Sequence, residues 1–214
     1  MSISWREKMT KQINFQKDGY CVIKNVLSKE LIDFVTQYAL FDEMQNFTPD
    51  TRQVVGAHAR YADPAMESVL LLLQDTIQNA TSLELFPTYS FYRVYRPGDD
   101  LKPHKDRESC QISATLCFNY NYEEYKWPIY MNGKEVIQEP GDLVIYKGVE
   151  LEHYRNVFDL NQEDAWHVQG FFHYVDQHGP YKDFKFDNRK SIGVSNLERD
   201  EYKQDSLNSW LYYK

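Results

Sequence analysis

Between Phe86 and Val175 the chain breaks into short stretches of β-branched and aromatic residues separated by turn formers. This pattern restricts the fold more than any other feature. The stretches are Tyr89 to Tyr95, Ile112 to Phe118, Trp127 to Met131, Leu143 to Tyr146 and Val168 to Val175. Between them stand Arg96-Pro97-Gly98-Asp99-Asp100, Asn132-Gly133 and Pro140-Gly141-Asp142. Asn-Gly favours a two-residue hairpin, because both central positions of that turn need positive φ. Pro-Gly-Asp is ordinary turn chemistry. Several strands this short predict a sandwich, jelly roll or barrel.

The chain before Phe86 reads differently. Gly19 to Leu27 contains a short β-forming run, after which Ser28 supplies an N-cap and Leu31, Val35 and Tyr38 recur at helical spacing. A second helix starts at Asp63-Pro64, a cap followed by proline in the first turn. Met66, Val69, Leu70, Leu73 and Ile77 form its apolar stripe, which predicts core packing. Helices first and strands afterwards predict an α+β chain with the helices on one side of the sheets. The expected layout is one domain over 1–214: an N-terminal strand and helices over 1–84, a jelly-roll core over 85–178, and an aromatic C-terminal extension over 179–214.

Composition narrows the partners. The 214 residues carry 32 acids against 24 bases, a net charge of −8, and no Lys/Arg-rich run. That balance disfavours nucleic acid, which asks for a basic footprint. No apolar stretch approaches the roughly 20 residues needed to span a bilayer. The N-terminus MSISWREKMTKQ lacks the apolar segment of a secretory signal. Cys21, Cys110 and Cys117 are odd in number without CxxC spacing, which argues against a disulfide framework. A cytoplasmic protein is expected. The extension carries seven aromatics, Trp210 and Tyr213 among them, too many for a solvated tail. It is expected to dock on the domain or on a second subunit, as in a homodimer.

The segment with most chemistry is Tyr95-Arg96-Pro97-Gly98-Asp99-Asp100-Leu101-Lys102-Pro103-His104-Lys105-Asp106. On an extended backbone His104 and Asp106 leave from the same side. One imidazole and one carboxylate are two-thirds of a facial triad for iron(II). His153, beyond the Pro140-Gly141-Asp142 turn and the strand after it, fits as the third ligand. Three protein ligands leave three positions on an octahedral ion, two for a bidentate 2-oxo acid and one for dioxygen.

This segment resembles the iron(II)- and 2-oxoglutarate-dependent dioxygenases, in particular the prolyl-4-hydroxylase-like branch. The likeness rests on the YxPGxxLxxHxD string, on Ser113-Ala114-Thr115-Leu116, on Pro140-Gly141-Asp142 and on His153, and spans roughly residues 15 to 178. It implies a double-stranded β-helix and hydroxylation of an unactivated C–H bond, with 2-oxoglutarate leaving as succinate and carbon dioxide. It implies His104, Asp106 and His153 as metal ligands, and a small-molecule or peptide substrate, proline being the common case. The carboxylate at Asp106 speaks against the halogenases of this group, which carry a small residue there.

One departure stands out. Such enzymes usually bind the 5-carboxylate of 2-oxoglutarate through a Lys or Arg about ten residues after the distal His, and that place is Glu163. Arg155, two positions from His153, is the nearest base and is expected to take the role. His167 and Gln169 are alternatives, with Tyr95 and Asn119 as hydrogen-bond donors. Two other readings stay open here: a cupin-like metalloenzyme that does not use 2-oxoglutarate, and a non-catalytic jelly-roll binding module. His58 is expected in a solvated loop, His173 and His178 are expected to be structural, and Cys110 and Cys117 to be packed small residues. Val55 to Asp63 and Asn121 to Trp127 are candidate substrate-facing segments.

Overall fold

The computed structural model describes residues 14–194. After a single helical turn, α1 (Phe15–Asp18), the elements run β1 (Tyr20–Ile23), α2 (Lys29–Gln45), β2 (His58–Tyr61), α3 (Pro64–Thr81), β3 (Leu85–Tyr95), β4 (Leu101–His104) and β5 (Ile112–Tyr120). They continue with β6 (Ile129–Met131), β7 (Lys134–Val136), β8 (Leu143–Lys147), β9 (His153–Arg155) and β10 (His167–Asp176). Two antiparallel sheets result, a six-stranded one in the order β1-β8-β5-β10-β3-β2 and a four-stranded one in the order β4-β9-β6-β7. This is a double-stranded β-helix, the fold the resemblance implies and one that agrees with the strand pattern. Among the described residues no helix is long and apolar enough to cross a membrane.

Local chemistry explains the boundaries. Ser28 caps α2 by accepting from the Leu31 amide, and Asp63 caps α3 by accepting from Ala65 and Met66. The predicted α3 stripe is buried throughout and packs with α2 on the outer face of the large sheet. Each such aliphatic side chain contributes about 1.5–3 kcal/mol. Asn132 and Gly133, both at positive φ (50° and 76°), turn β6 into β7 in the expected hairpin.

The large sheet is two-faced. Along β10, Val168, Phe172 and Tyr174 enter the core under the helices, and His167, Gln169, Phe171 and His173 face the space between the sheets. On β3, Tyr92 and Val94 take the helix side, and Phe91, Arg93 and Tyr95 the inner side. An inner face carrying two histidines, a glutamine and an arginine needs polar partners, so the space between the sheets holds a hydrogen-bonded network as well as apolar packing.

One expectation for the N-terminal third needs correction. His58 is not in a solvated loop: it lies on β2, almost fully buried, with Nε2 against Asp42 (3.2 Å) and Nδ1 accepting from the Thr48 amide (3.1 Å). Edge pairing with β3 drew the segment in, a long-range effect that its small and polar residues did not signal. Within the extension, Ile192 joins the core and Phe186 packs against it. Tyr202, Trp210, Tyr212 and Tyr213, which carried the expectation of a second subunit, lie outside the described residues.

Candidate active site

Strand pairing explains why two histidines 49 positions apart come together. β4 and β9 are antiparallel neighbours, and His104 stands opposite His153 in register. Their rings are 4.3 Å apart. Each Nδ1 lies against a backbone carbonyl, His104 against Lys102 (2.7 Å) and His153 against Leu151 (3.1 Å). A carbonyl can only accept, so each Nδ1 carries a proton, which leaves Nε2 of each ring as the atom that can bind a cation. Asp106, just past β4, brings Oδ1 to 3.7 Å from His104 Nε2 and 3.5 Å from His153 Nε2. Its other oxygen accepts from Ser113 Oγ at 2.7 Å, and its amide donates to the Gly148 carbonyl.

The electrostatics suit a divalent cation. Burial would raise the Asp106 pKa, but the hydrogen bond and charge of His153, with His173 and Ser113, outweigh it and hold the carboxyl well below its usual range. Burial, aided by His153, lowers the pKa of His104. An ionised carboxylate and two nitrogen donors within 4.8 Å of one another make a donor set for iron(II). Ser113 also meets His173 Nδ1 at 2.9 Å, so His173 supports the carboxylate from behind.

Deeper between the sheets lies Arg155, 2% exposed. It donates to the Trp127 carbonyl (2.7 Å), Gln138 Oε1 (3.0 Å) and Gln169 Oε1 (3.1 Å), and its plane lies over the Trp127 ring. Among the described residues no carboxylate pairs with it, and its Nε has no partner. Burial lowers its pKa. His167 meets Gln169 Oε1 at 2.7 Å and Tyr122 at 2.8 Å, and burial, reinforced by Arg155, pushes its pKa down to about 3. Tyr95 is fully buried and packs edge-on to Trp127 and His167. Arg155, His167, Gln169 and Tyr95 thus converge. Asn119 does not join them: a bulge in the β5–β10 pairing sets it opposite Val168, and its side-chain oxygen accepts from the next amide.

A cavity of about 820 Å³ opens over His104, Asp106 and His153. It is lined by residues 48–53, by Ala59 and Tyr61, and by Tyr89, Phe91, Arg93, Arg107 and Asp187. Part of the expected Val55–Asp63 segment therefore contributes, but the loop before it contributes more. Asn121 to Trp127 is absent from the lining: Tyr122 and Trp127 point inward onto His167, Phe158 and Arg155. Gln53 reaches across, its Nε2 at 3.2 Å from His104 Nε2 and its Oε1 at 3.3 Å from Arg93. Arg93 had a readable signal, a lone charge amid aromatic residues in a strand. Gln53, Arg107 and Asp187 had none, because each gains its place through contacts far along the chain.

No protein-family profile matches the sequence, and no curated relative does. Solved structures do. A prolyl-4-hydroxylase from Pseudomonas putida superposes with a TM-score of 0.58 at 19% identity, over 75% of this chain and 95% of that one. The non-heme α-ketoglutarate-dependent carbocyclase SnoK of nogalamycin biosynthesis gives 0.61 at 15%, covering 82% and 87%. EctD from S. alaskensis with bound iron gives 0.59 at 15%, covering 90% and 87%. The chain therefore shares the double-stranded β-helix fold of these non-heme oxygenases.

Proposed function

We propose that the protein is an iron(II)- and 2-oxoglutarate-dependent oxygenase that hydroxylates an unactivated C–H bond. The observation that carries this reading is the convergence of His104, Asp106 and His153 at the floor of an open cavity. The buried Arg155, which has no carboxylate partner among the described residues, supports the co-substrate. His104, Asp106 and His153 would hold iron(II), and Arg155 would receive the 5-carboxylate of 2-oxoglutarate, with Tyr95, His167 and Gln169 around it.

Bound iron(II) with 2-oxoglutarate and dioxygen supplies the oxidising chemistry, and 2-oxoglutarate leaves as succinate and carbon dioxide. The chain's own residues orient and exclude. The Lys102 and Leu151 carbonyls fix the two imidazoles, and Ser113 fixes the carboxylate. Tyr95, Trp127 and Phe158 keep water from the inner pocket, where a charge-assisted bond is stronger. The YxPGxxLxxHxD string supports the prolyl-hydroxylase-like branch, so prolyl peptides and free amino acids are the first substrates to screen.

The test is anaerobic addition of iron(II) and 2-oxoglutarate to the purified protein. A visible charge-transfer band should form, His104→Ala should abolish it, and succinate should appear on admitting oxygen. A band that survives His104→Ala would refute the ligand assignment. Turnover without succinate would favour a metalloenzyme that needs no 2-oxo acid.

A further inference from the structure

The chain beyond β10 folds back so that Asp187 reaches the cavity wall. Phe186, Asp187 and Asn188 all adopt left-handed backbone (φ 57°, 54° and 61°), which L-residues avoid unless their surroundings impose it. Arg189 imposes it, bonding to Glu67 (2.5 Å) and to the Thr88, Phe186 and Val194 carbonyls. The strap so held presents Asp187, whose side chain is 8% exposed, to the cavity wall. One Asp187 oxygen accepts from Tyr61 (2.5 Å) and from Arg107 (2.8 Å). Arg107 in turn lies over the ring of Tyr89, which is sandwiched against Tyr61 and His173.

Arg107 directly follows the proposed ligand Asp106, and both line the same cavity. It spends one N–H on Asp187 and is half exposed, which leaves donors for a ligand. The remaining charges around the cavity have one sign. The Asp50 side chain is buried and given to Arg93 and three loop amides, one Asp187 oxygen is given to Arg107 and Tyr61 while the other is buried without a partner among the described residues, and Asp106 faces the two histidines. Arg52 and Lys105 are exposed, and among the described residues neither has an ion-pair partner. A chain of net charge −8 thus surrounds this opening with spare positive charge.

We propose that Arg107 is a substrate-binding residue and that the substrate carries a carboxylate, which Arg107 receives beside the carbon to be oxidised. A planar guanidinium held on a tyrosine face is pre-organised for a planar carboxylate. The aromatic wall of Tyr61, Tyr89 and Phe91 receives the substrate's apolar part. Asp187 is a positioning residue, acting through Arg107. This inference rests on the oxygenase reading for the metal and co-substrate.

The test compares benzoate with benzamide, a charged and an uncharged probe of one size, on the zinc-loaded protein at saturating 2-oxoglutarate. Calorimetry first measures 2-oxoglutarate itself; if it does not bind, the oxygenase reading fails. If it binds, benzoate should bind at least about tenfold more tightly than benzamide. Arg107→Gln should erase that preference without changing 2-oxoglutarate affinity, and Arg107→Lys should restore part of it. Asp187→Asn should weaken benzoate while leaving benzamide unchanged. Equal binding of the two probes, binding of neither, or a preference that persists in Arg107→Gln overturns the proposal. A lower melting temperature in Arg107→Gln with the preference intact would show a strap latch and nothing more.

Discussion

Replacing Arg155 with methionine tests whether this buried charge serves the fold or the co-substrate. The substitution keeps an unbranched apolar stem and removes three hydrogen bonds. Gln138 Oε1 still accepts from Gln169, and Gln169 Oε1 still has His167, so only the Trp127 carbonyl loses its partner. That orphan costs about 1–3 kcal/mol. Against it stands relief from burying a guanidinium without a counter-ion, a penalty of several kcal/mol in its own right. The two nearly cancel, so the melting temperature should move by less than about 8 °C, at roughly 2–4 °C per kcal/mol for a chain this size. Binding should behave quite differently. Losing one partner of a buried, hydrogen-bonded charge pair costs about 2–5 kcal/mol, or roughly 30-fold to several-thousand-fold in affinity. Calorimetric titration of the zinc-loaded variant with 2-oxoglutarate, beside thermal unfolding, gives both numbers. A 2-oxoglutarate affinity within about threefold of wild type, whatever the stability, would refute the assignment of Arg155 to the 5-carboxylate.

Two further outcomes follow from the geometry. A Cβ on Gly148 would lie 2.1 Å from the Cys110 carbonyl and 2.6 Å from Asp106 Oδ2, so Gly148→Ala should push Asp106 out of place. Metal affinity should then fall by about 10–100-fold in an anaerobic cobalt titration, and unchanged affinity would count against Asp106 as a ligand. His167 stays neutral in the folded chain down to about pH 3, but protonates near 6.5 once unfolded. Its contribution to stability is complete above pH 6.5 and is lost as pH falls towards 3, about 2 kcal/mol of it by pH 5. Urea unfolding at pH 8 and 5 should show a loss about 2 kcal/mol smaller in His167→Asn; equal losses would contradict a buried neutral imidazole.

What the sequence disclosed depended on range. Strands, caps and the Asn132-Gly133 turn are local, and they predicted the two-sheet architecture and both long helices. The convergence of His104, Asp106 and His153 was legible because His104 and Asp106 are local to one another, and the register of β4 against β9 places His153 beside them. His58 was misread for the opposite reason. Its burial comes from pairing with β3 and from Asp42 on α2, neither of which its neighbours encode. The loop residues over the cavity and the strap carrying Asp187 were equally opaque. Their positions come from Asp50–Arg93 and Glu67–Arg189, pairs 43 and 122 residues apart along the chain.

Two interior arginines show what sequence spacing could not. Arg93 and Arg155 are both almost fully buried, both lie against aromatic rings, and each has an Nε without a partner. Their counter-ions differ. Arg93 holds Asp50 at 2.5 Å, a carboxylate fixed by the amides of its own loop, so its charge is settled within the fold. Arg155 has only neutral acceptors among the described residues, three oxygens that stabilise the guanidinium without cancelling its charge. An internally compensated arginine needs no ligand and is suited to anchoring a loop over the cavity. An uncompensated one, behind two histidines and a carboxylate, is suited to an anion that comes and goes. The net charge of −8 is therefore no guide to the sign of the site: among the described residues Asp50 and Asp187 are paired with Arg93 and Arg107, whereas Arg52 and Lys105 on the cavity and Arg155 behind it have no carboxylate partner.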